Sequence, residues 1–460
     1  MSAVDSIAKP VAEGDAYPAP VVGWYATIML AFLYWLSVLD RYVISLLVDP
    51  IKRDLGLTDV QFGILHGLAF ALTFVIFGFV FGALADRVNR RQLIYIGVTI
   101  WSIGTALCGV AQNFTHLLLA RVAVGAGEAA LQPCATSMIS DLFPREKLTS
   151  AMAVYSIGST VGNGTALIIG GAIVDVVFHM GEIVLPVVGS IRPWQIVFFI
   201  VGIPGALLAT SIFSVPEPIR RGQRRKDQAG RSWYTAYLDL LKFMKSRQRF
   251  FICHYAGFTL AAAVITGNTA WLPAHMSRSF HWSAGRVGLT LGMTVMAGSI
   301  VGKLLCGTLV DAMYRRGYRD AQLRWYSVCL LIGTPLGIFA ITRVDPYVFL
   351  VGLGLFQVLI SAMPACAFAS LNLVTPNELR GTGIAIFTTV FGLIGGGAGS
   401  VLIALISDHV YGGKATLGLG MATLIGFCCP LAAALLYLGF GAMREAMAEA
   451  EQPAAVTRRA

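Results

Sequence analysis

The chain has 460 residues, of which 56% are hydrophobic and only 13% charged, against about a quarter charged in a soluble protein of this length. Apolar runs such as 63–85 and 416–440 are each long enough to cross a hydrocarbon core of about 30 Å, which excludes an ordinary array of soluble domains. The net charge of +10 invites a nucleic-acid reading, but Lys and Arg crowd the loops on the side of the N-terminus, so the charge orients the chain in a bilayer and meets anionic headgroups.

In chain order, residues 1–21 are polar and acidic, without the basic start and short apolar core of a cleaved signal, and are expected to form a cytoplasmic tail. Six spans follow at 22–47, 59–84, 91–111, 115–140, 148–177 and 193–215, a first bundle over 22–215. Lipid offers no partner to backbone polar groups, so each span must be helical. Residues 216–249 form a linker with a basic run (Arg220, Arg221, Arg224, Arg225, Lys226) and then Trp233, Tyr237, Leu240, Leu241 and Met244 at helical spacing. A basic amphipathic segment of this kind is expected on the cytoplasmic leaflet. A second bundle over 250–442 holds spans at 250–276, 284–312, 324–343, 346–374, 379–408 and 416–441, and 443–460 is a second cytoplasmic tail.

The two bundles repeat one another. Gly82-Ala83-Leu84-Ala85-Asp86-Arg87 with Arg90 and Arg91 returns as Gly307-Thr308-Leu309-Val310-Asp311 with Arg315 and Arg316. Pro133-Cys134-Ala135 returns as Pro364-Ala365-Cys366, and the Gly-rich fifth span matches the Gly-rich eleventh. A parallel duplication predicts two halves that rock about a site near the membrane midplane, with the dense glycines allowing close helix approach.

Charges inside a bilayer are costly and mark function. The first half carries four of them, Asp40, Arg41, Arg121 and Glu128, summing to zero. Helix spacing does not pair them within one span, so the economical arrangement joins spans one and four. Burial favours the neutral form of a carboxyl and a nearby guanidinium the charged form. We therefore read Asp40 and Glu128 as a proton-responsive centre tuned by Arg41 and Arg121. The same four residues also suit a permanent ion network, and either guanidinium suits an anionic headgroup. His66 is a further candidate proton carrier, with a packed or interfacial histidine as the plainer reading, and Lys303 suits either snorkelling toward the cytoplasm or a place in the cavity. The second half offers Thr259, Asn268, Gln357 and Asn372 against an otherwise apolar wall, a setting for an amphipathic substrate.

The stretch Gly82–Arg91 resembles the signature loop of the Major Facilitator Superfamily, with Asn89 where that pattern carries Gly. The resemblance implies an all-α membrane protein of twelve transmembrane helices in two pseudo-symmetric six-helix bundles, working by alternating access as a monomer. It also implies that Gly82, Asp86, Arg87, Arg90, Arg91, Asp141 and Asp311 serve gating, Asp86 meeting a helix start of the other half and Arg87 or Arg90 meeting Asp141. Asp40-Arg41-Tyr42, Gly127-Glu128-Ala129-Ala130 and Ser140-Asp141-Leu142-Phe143-Pro144 resemble the Spinster branch, which contains exporters of lysophospholipids and sphingosine phosphate. The implied function is a proton-coupled secondary transporter of a lipid-like substrate in a bacterial inner membrane. A carrier of a small organic anion, or a drug-efflux carrier, is the alternative.

An enzyme is disfavoured, since the seven His are scattered and no nucleophile grouping or phosphate loop is present. No metal or cofactor is expected, and the eight Cys, all within spans, read as small packing residues.

Overall fold

A computed structural model describes residues 17–85, 87–181, 183–185, 189–220, 233–412 and 416–456. Eleven of its helices are long and apolar enough to cross a membrane. The remaining span, Arg90–Cys108, has the length but opens on Arg90, Arg91 and Gln92, which lowers its mean hydropathy. The first half comprises Pro20–Leu46, Asp59–Ala85, Arg90–Cys108, Phe114–Leu142, Arg145–Met180 and Pro193–Ser214. The second comprises Gln248–Phe280, Ala284–Arg315, Ala321–Ile341, Pro346–Val374, Thr382–Val410 and Leu417–Val456. The fold is the all-α membrane architecture of two six-helix bundles.

Several details depart from the sequence reading. Residues 443–460, expected as a tail, continue the last helix as far as Val456. A short hairpin pairs Ile183–Leu185 with Gly189–Ile191 between spans five and six. Span four is broken into Phe114–Glu128 and Leu131–Leu142, and span ten into Pro346–Ile360 and Met363–Val374. Each break lies just ahead of a proline. Pro133 and Pro364 lack an amide hydrogen, and their rings clash with the carbonyls of Ala129 and Ile360 four residues earlier. The duplicated prolines thus give each half a broken central helix, and Glu128 is the last residue before the first break.

Helix starts follow local capping chemistry. Thr58 and Gln61 form a reciprocal capping box at span two, and Asn89, Asn113 and Ser283 cap spans three, four and eight. Gly56, at φ +65°, closes the short helix Val48–Leu55 that turns span one toward span two. In the linker, Trp233–Ser246 is helical and lies against the start of span eleven, with Leu240 fully buried.

An even number of spans puts both ends of the chain on one face, here the termini face. The halves meet toward the opposite face. Arg278 at the end of span seven binds Asp49 at 2.7 Å and Asp59 at 3.3 Å. Ser400 Oγ in span eleven donates to the Gly63 carbonyl at 2.9 Å, and the Trp271 indole donates to the Ser400 carbonyl at 2.8 Å. Phe62 and Trp271 pack with ring centroids 5.8 Å apart. Spans five and eight touch closely. A Cβ on Gly164 would lie 2.6 Å from Met296 Cβ, and one on Gly171 2.6 Å from the Ala284 carbonyl. Toward the termini face, by contrast, a Cβ added at Gly78, Gly82 or Gly307 would meet open space. The halves therefore converge at the face away from the termini and diverge at the termini face.

Candidate functional site

The four intramembrane charges of the first half gather where spans one to four meet. Arg41 is ion-paired with Glu128 Oε2, which also accepts a 2.8 Å hydrogen bond from Ser37 Oγ, one helical turn before Arg41. Glu128 Oε1 is buried with no hydrogen-bond partner among the described residues. Both Asp40 oxygens are likewise buried and unbonded, with the Thr105 hydroxyl facing them short of hydrogen-bond geometry. Arg121 is buried, with Nε and Nη2 unpartnered among the described residues. Phe70 of span two lies under both guanidinium groups, 4.6 Å from Arg41 and 5.6 Å from Arg121, a cation–π arrangement.

The two arginines, equivalent in the sequence reading, differ in place. The Arg41 side chain is 28% exposed, whereas Arg121 is 1% exposed as a residue. Arg41 is thus the cation of this cluster that can reach an entering solute, and Glu128 is the carboxylate that holds it. Asp40 and Arg121 stand behind them.

His66 lies partly buried in a π-helical turn, Ile64–Leu68, near Arg41 and Arg121, and its buried Nε2 has no partner among the described residues. Such turns often mark working positions. The Lys303 amine donates to Thr160 of span five at 3.0 Å, across the two halves. In the second half, Thr259 Oγ1 and both amide atoms of Asn268 are buried without partners among the described residues, and Gln357 donates to Ser299 at 3.0 Å. Asn372 Oδ1 is buried and unbonded as well. No described hydrogen bond joins these residues to the charged cluster.

At the termini face, Arg90 rather than Arg87 meets Asp141. The fully buried Arg90 guanidinium reaches Asp141 at 2.5 Å, Ser137 at 2.9 Å, Glu217 at 2.8 Å and the Pro218 carbonyl at 2.8 Å. Arg91 donates its amide to Glu217 at 3.1 Å and its guanidinium to the Val215 carbonyl at 3.0 Å. These contacts stay within the first half and the start of the linker. Arg87 and Asp311 are exposed, and Asp86 lies outside the described residues.

Sequence reasoning missed Ser37, Phe70, Thr105, Glu217 and the cluster of Asp49, Lys52, Asp59 and Arg278. Ser37 carries a signal, one turn before Arg41. Phe70 carries only the faint signal of standing one turn after His66 in an otherwise largely apolar span. All eight Cys are buried and unbridged, and among the described residues no group of three His, Cys, Asp or Glu side chains gathers as a metal site.

Two bundles converging at one face of a membrane, with a charged centre buried in the first, are the architecture of a transporter. The chain belongs to the Major Facilitator Superfamily, whose pattern matches residues 30–400. It is a multi-pass membrane transporter and not an enzyme. It is 26% identical over 410 residues to an MFS-type efflux pump of Mycolicibacterium smegmatis, covering 88% of this chain and 89% of that one. It is 26% identical over 409 residues to protein spinster homolog 1 of Xenopus tropicalis, covering 84% and 73%. A crystal structure of a bacterial homolog to the human lysosomal transporter Spinster, inward-facing and unoccupied, superposes with a TM-score of 0.76 at 24% identity, covering 93% of this chain and 98% of the other. The chain is thus a superfamily member that resembles the Spinster branch.

Proposed function

We propose that the protein is a proton-coupled secondary transporter of an amphipathic, lipid-like anion, such as a lysophospholipid or a sphingosine-phosphate analogue, and that Asp40, Arg41, Arg121 and Glu128 couple the proton to the substrate. The observation that carries this reading is that the partly exposed cation of the cluster, Arg41, is held by a carboxylate that a proton would neutralise. Protonation of Glu128 releases Arg41 to fork onto a phosphate or carboxylate headgroup. Loss of the headgroup returns Arg41 to Glu128 and expels the proton. Thr259, Asn268 and Gln357 line the second half, where the tail would rest against the apolar wall. The positive-inside bias makes the termini face cytoplasmic, so the observed form is open inward. On this reading Gly82, Asp86, Arg87, Arg90, Arg91, Asp141 and Asp311 gate the inner mouth, and the monomer works in a bacterial inner membrane.

A second reading, transport of a small organic anion, draws on the unpartnered nitrogens of Arg121, which suit a compact carboxylate. One comparison separates the two. Purified protein in detergent is heated with a lysophospholipid or with short organic acids at pH 5.5 and 7.5. Stabilisation by the lysolipid, greater at low pH and independent of pH in Glu128→Gln, is expected. Stabilisation by the organic acids alone overturns the lipid reading.

A further inference from the structure

We propose a second lipid site on the outer surface of the second half: a groove between spans nine and twelve that binds an anionic glycerophospholipid of the leaflet at the termini face. The groove encloses about 790 Å³ and opens sideways from the bundle. Its walls include Val328, Leu331, Ala434 and Tyr437, all exposed, in stretches that lie inside the bilayer. From Pro430 to Phe440 it runs about 15 Å at 1.5 Å per residue, the depth of one leaflet of a 30 Å core. A trough of that length in a lipid-facing surface fits an acyl chain.

Its mouth supplies the charge. Arg324 lines the groove with its guanidinium 5.3 Å from the Tyr318 ring and 5.1 Å from the Phe440 ring. Its Nε donates to Asp320 at 2.7 Å, and Arg444 approaches the same carboxylate at 3.5 Å. Asp320 is fully buried, whereas the Arg444 side chain is 56% exposed. One buried carboxylate thus orients two guanidinium groups at the level of the headgroups and leaves an excess positive charge there. Trp325, also in the wall, has a buried indole N–H without a partner among the described residues, a donor placed for an ester carbonyl. Basic pockets between spans at this depth select anionic headgroups. None of these residues belongs to the charged centre of the first half, so the site is separate from that of the transported substrate.

The full-length protein, reconstituted in nanodiscs of equal phosphatidylglycerol and phosphatidylcholine, is released and weighed intact by native mass spectrometry. Retention of one phosphatidylglycerol, several-fold over phosphatidylcholine, is expected. Arg324→Gln with Arg444→Gln should remove the preference. Ala434→Trp, which fills the groove and leaves the ion cluster alone, should remove the retained lipid. Equal retention of both lipids by the unaltered protein overturns the proposal. So does loss of preference in the arginine variant with retention unchanged in Ala434→Trp, because the charge would then act elsewhere. Survival of the preference in a correctly folded arginine variant also overturns it. Each variant is checked for a monodisperse elution profile before weighing.

Discussion

At the scale of single residues, the cluster beside span four is incompletely satisfied, and that is its main physical property. An unpaired charge in a dry interior costs several kcal/mol, so a purely structural network is expected to close its bonds. Here one Glu128 oxygen is bonded and the other is not, and Asp40 has only the Thr105 hydroxyl facing it among the described residues. Replacing Glu128 by Gln keeps the shape and the Ser37 contact but removes the charge that holds Arg41. Uptake driven by a pH gradient in liposomes should fall at least tenfold, while exchange of substrate at equal pH persists. Asp40→Asn should also weaken the pH-driven component. If both variants keep a normal dependence on the gradient, the cluster is a structural network. Arg90 shows the opposite condition, with its donors satisfied by Asp141, Ser137, Glu217 and the Pro218 carbonyl. Breaking a buried pair of this kind costs about 3–5 kcal/mol, because the partner charges stay behind. Arg90→Ala should therefore lower the unfolding temperature clearly, and Arg90→Lys should recover only part of the loss because it cannot fork. An unchanged melting curve for Arg90→Ala would mean that water replaces the guanidinium without cost.

At the scale of elements, the duplicated prolines and the glycines of span five do separate jobs. Pro133 and Pro364 break the two central helices at matching places, whereas Gly164 and Gly171 let span five lie directly on span eight. The breaks were not legible in the sequence, although Pro133 and Pro364 recur in matched surroundings, because Pro204, Pro273 and Pro335 also lie inside helical runs and leave them unbroken. The arginine-bearing loop and the span count were legible, being local patterns. The pairing of Arg278 with Asp49 and Asp59 was not. It joins positions more than two hundred residues apart across two bodies, and no periodicity records how one half is set against the other. Phe70 was hard to read for a different reason, because beyond His66, one turn before it, a largely apolar span gives little sign of which face is turned inward. The glycine contact yields its own expectation. Gly171→Val would place methyl groups against the Ala284 carbonyl and the Gly288 Cα, and overpacking of this kind costs about 1–3 kcal/mol. That cost falls only on the form in which spans five and eight are pressed together. A cysteine at Gly82, in the open mouth, should then become less reactive toward a water-soluble maleimide in the Gly171→Val background, as the protein leaves the form described here. Unchanged reactivity would mean that the spans slide to accommodate valine.

At the scale of the whole molecule, the balance between the two openings is set by what ties each face shut. On the face away from the termini, the ties between halves are the Arg278 fork onto Asp49 and Asp59, the Ser400–Gly63 hydrogen bond and the Phe62–Trp271 packing. Lys52 also pairs with Asp59, so Asp59 keeps one cation when Arg278 is removed. Asp49 loses its cation, but its side chain is 36% exposed, so the cost of losing Arg278 falls mainly on the tie between halves. Hydrogen bonds to charged groups are worth about 1.5–3 kcal/mol each, and 1.4 kcal/mol is tenfold in an equilibrium. Arg278→Gln should therefore move the ratio of the two forms about ten- to a hundredfold away from the one seen here, with little change in thermal stability, because each bundle keeps its own core. Spin labels on the two halves at the termini face report this directly. Their separation should shorten in Arg278→Gln and lengthen again when Ser400 and Gly63 are replaced by a cysteine pair and oxidised. The cysteine pair alone should trap the unaltered arrangement and stop transport, with activity returning on reduction. If Arg278→Gln leaves the distance distribution unchanged while the cysteine pair traps the protein, the ion pairs only decorate a gate that Ser400 and the aromatic contact hold by themselves.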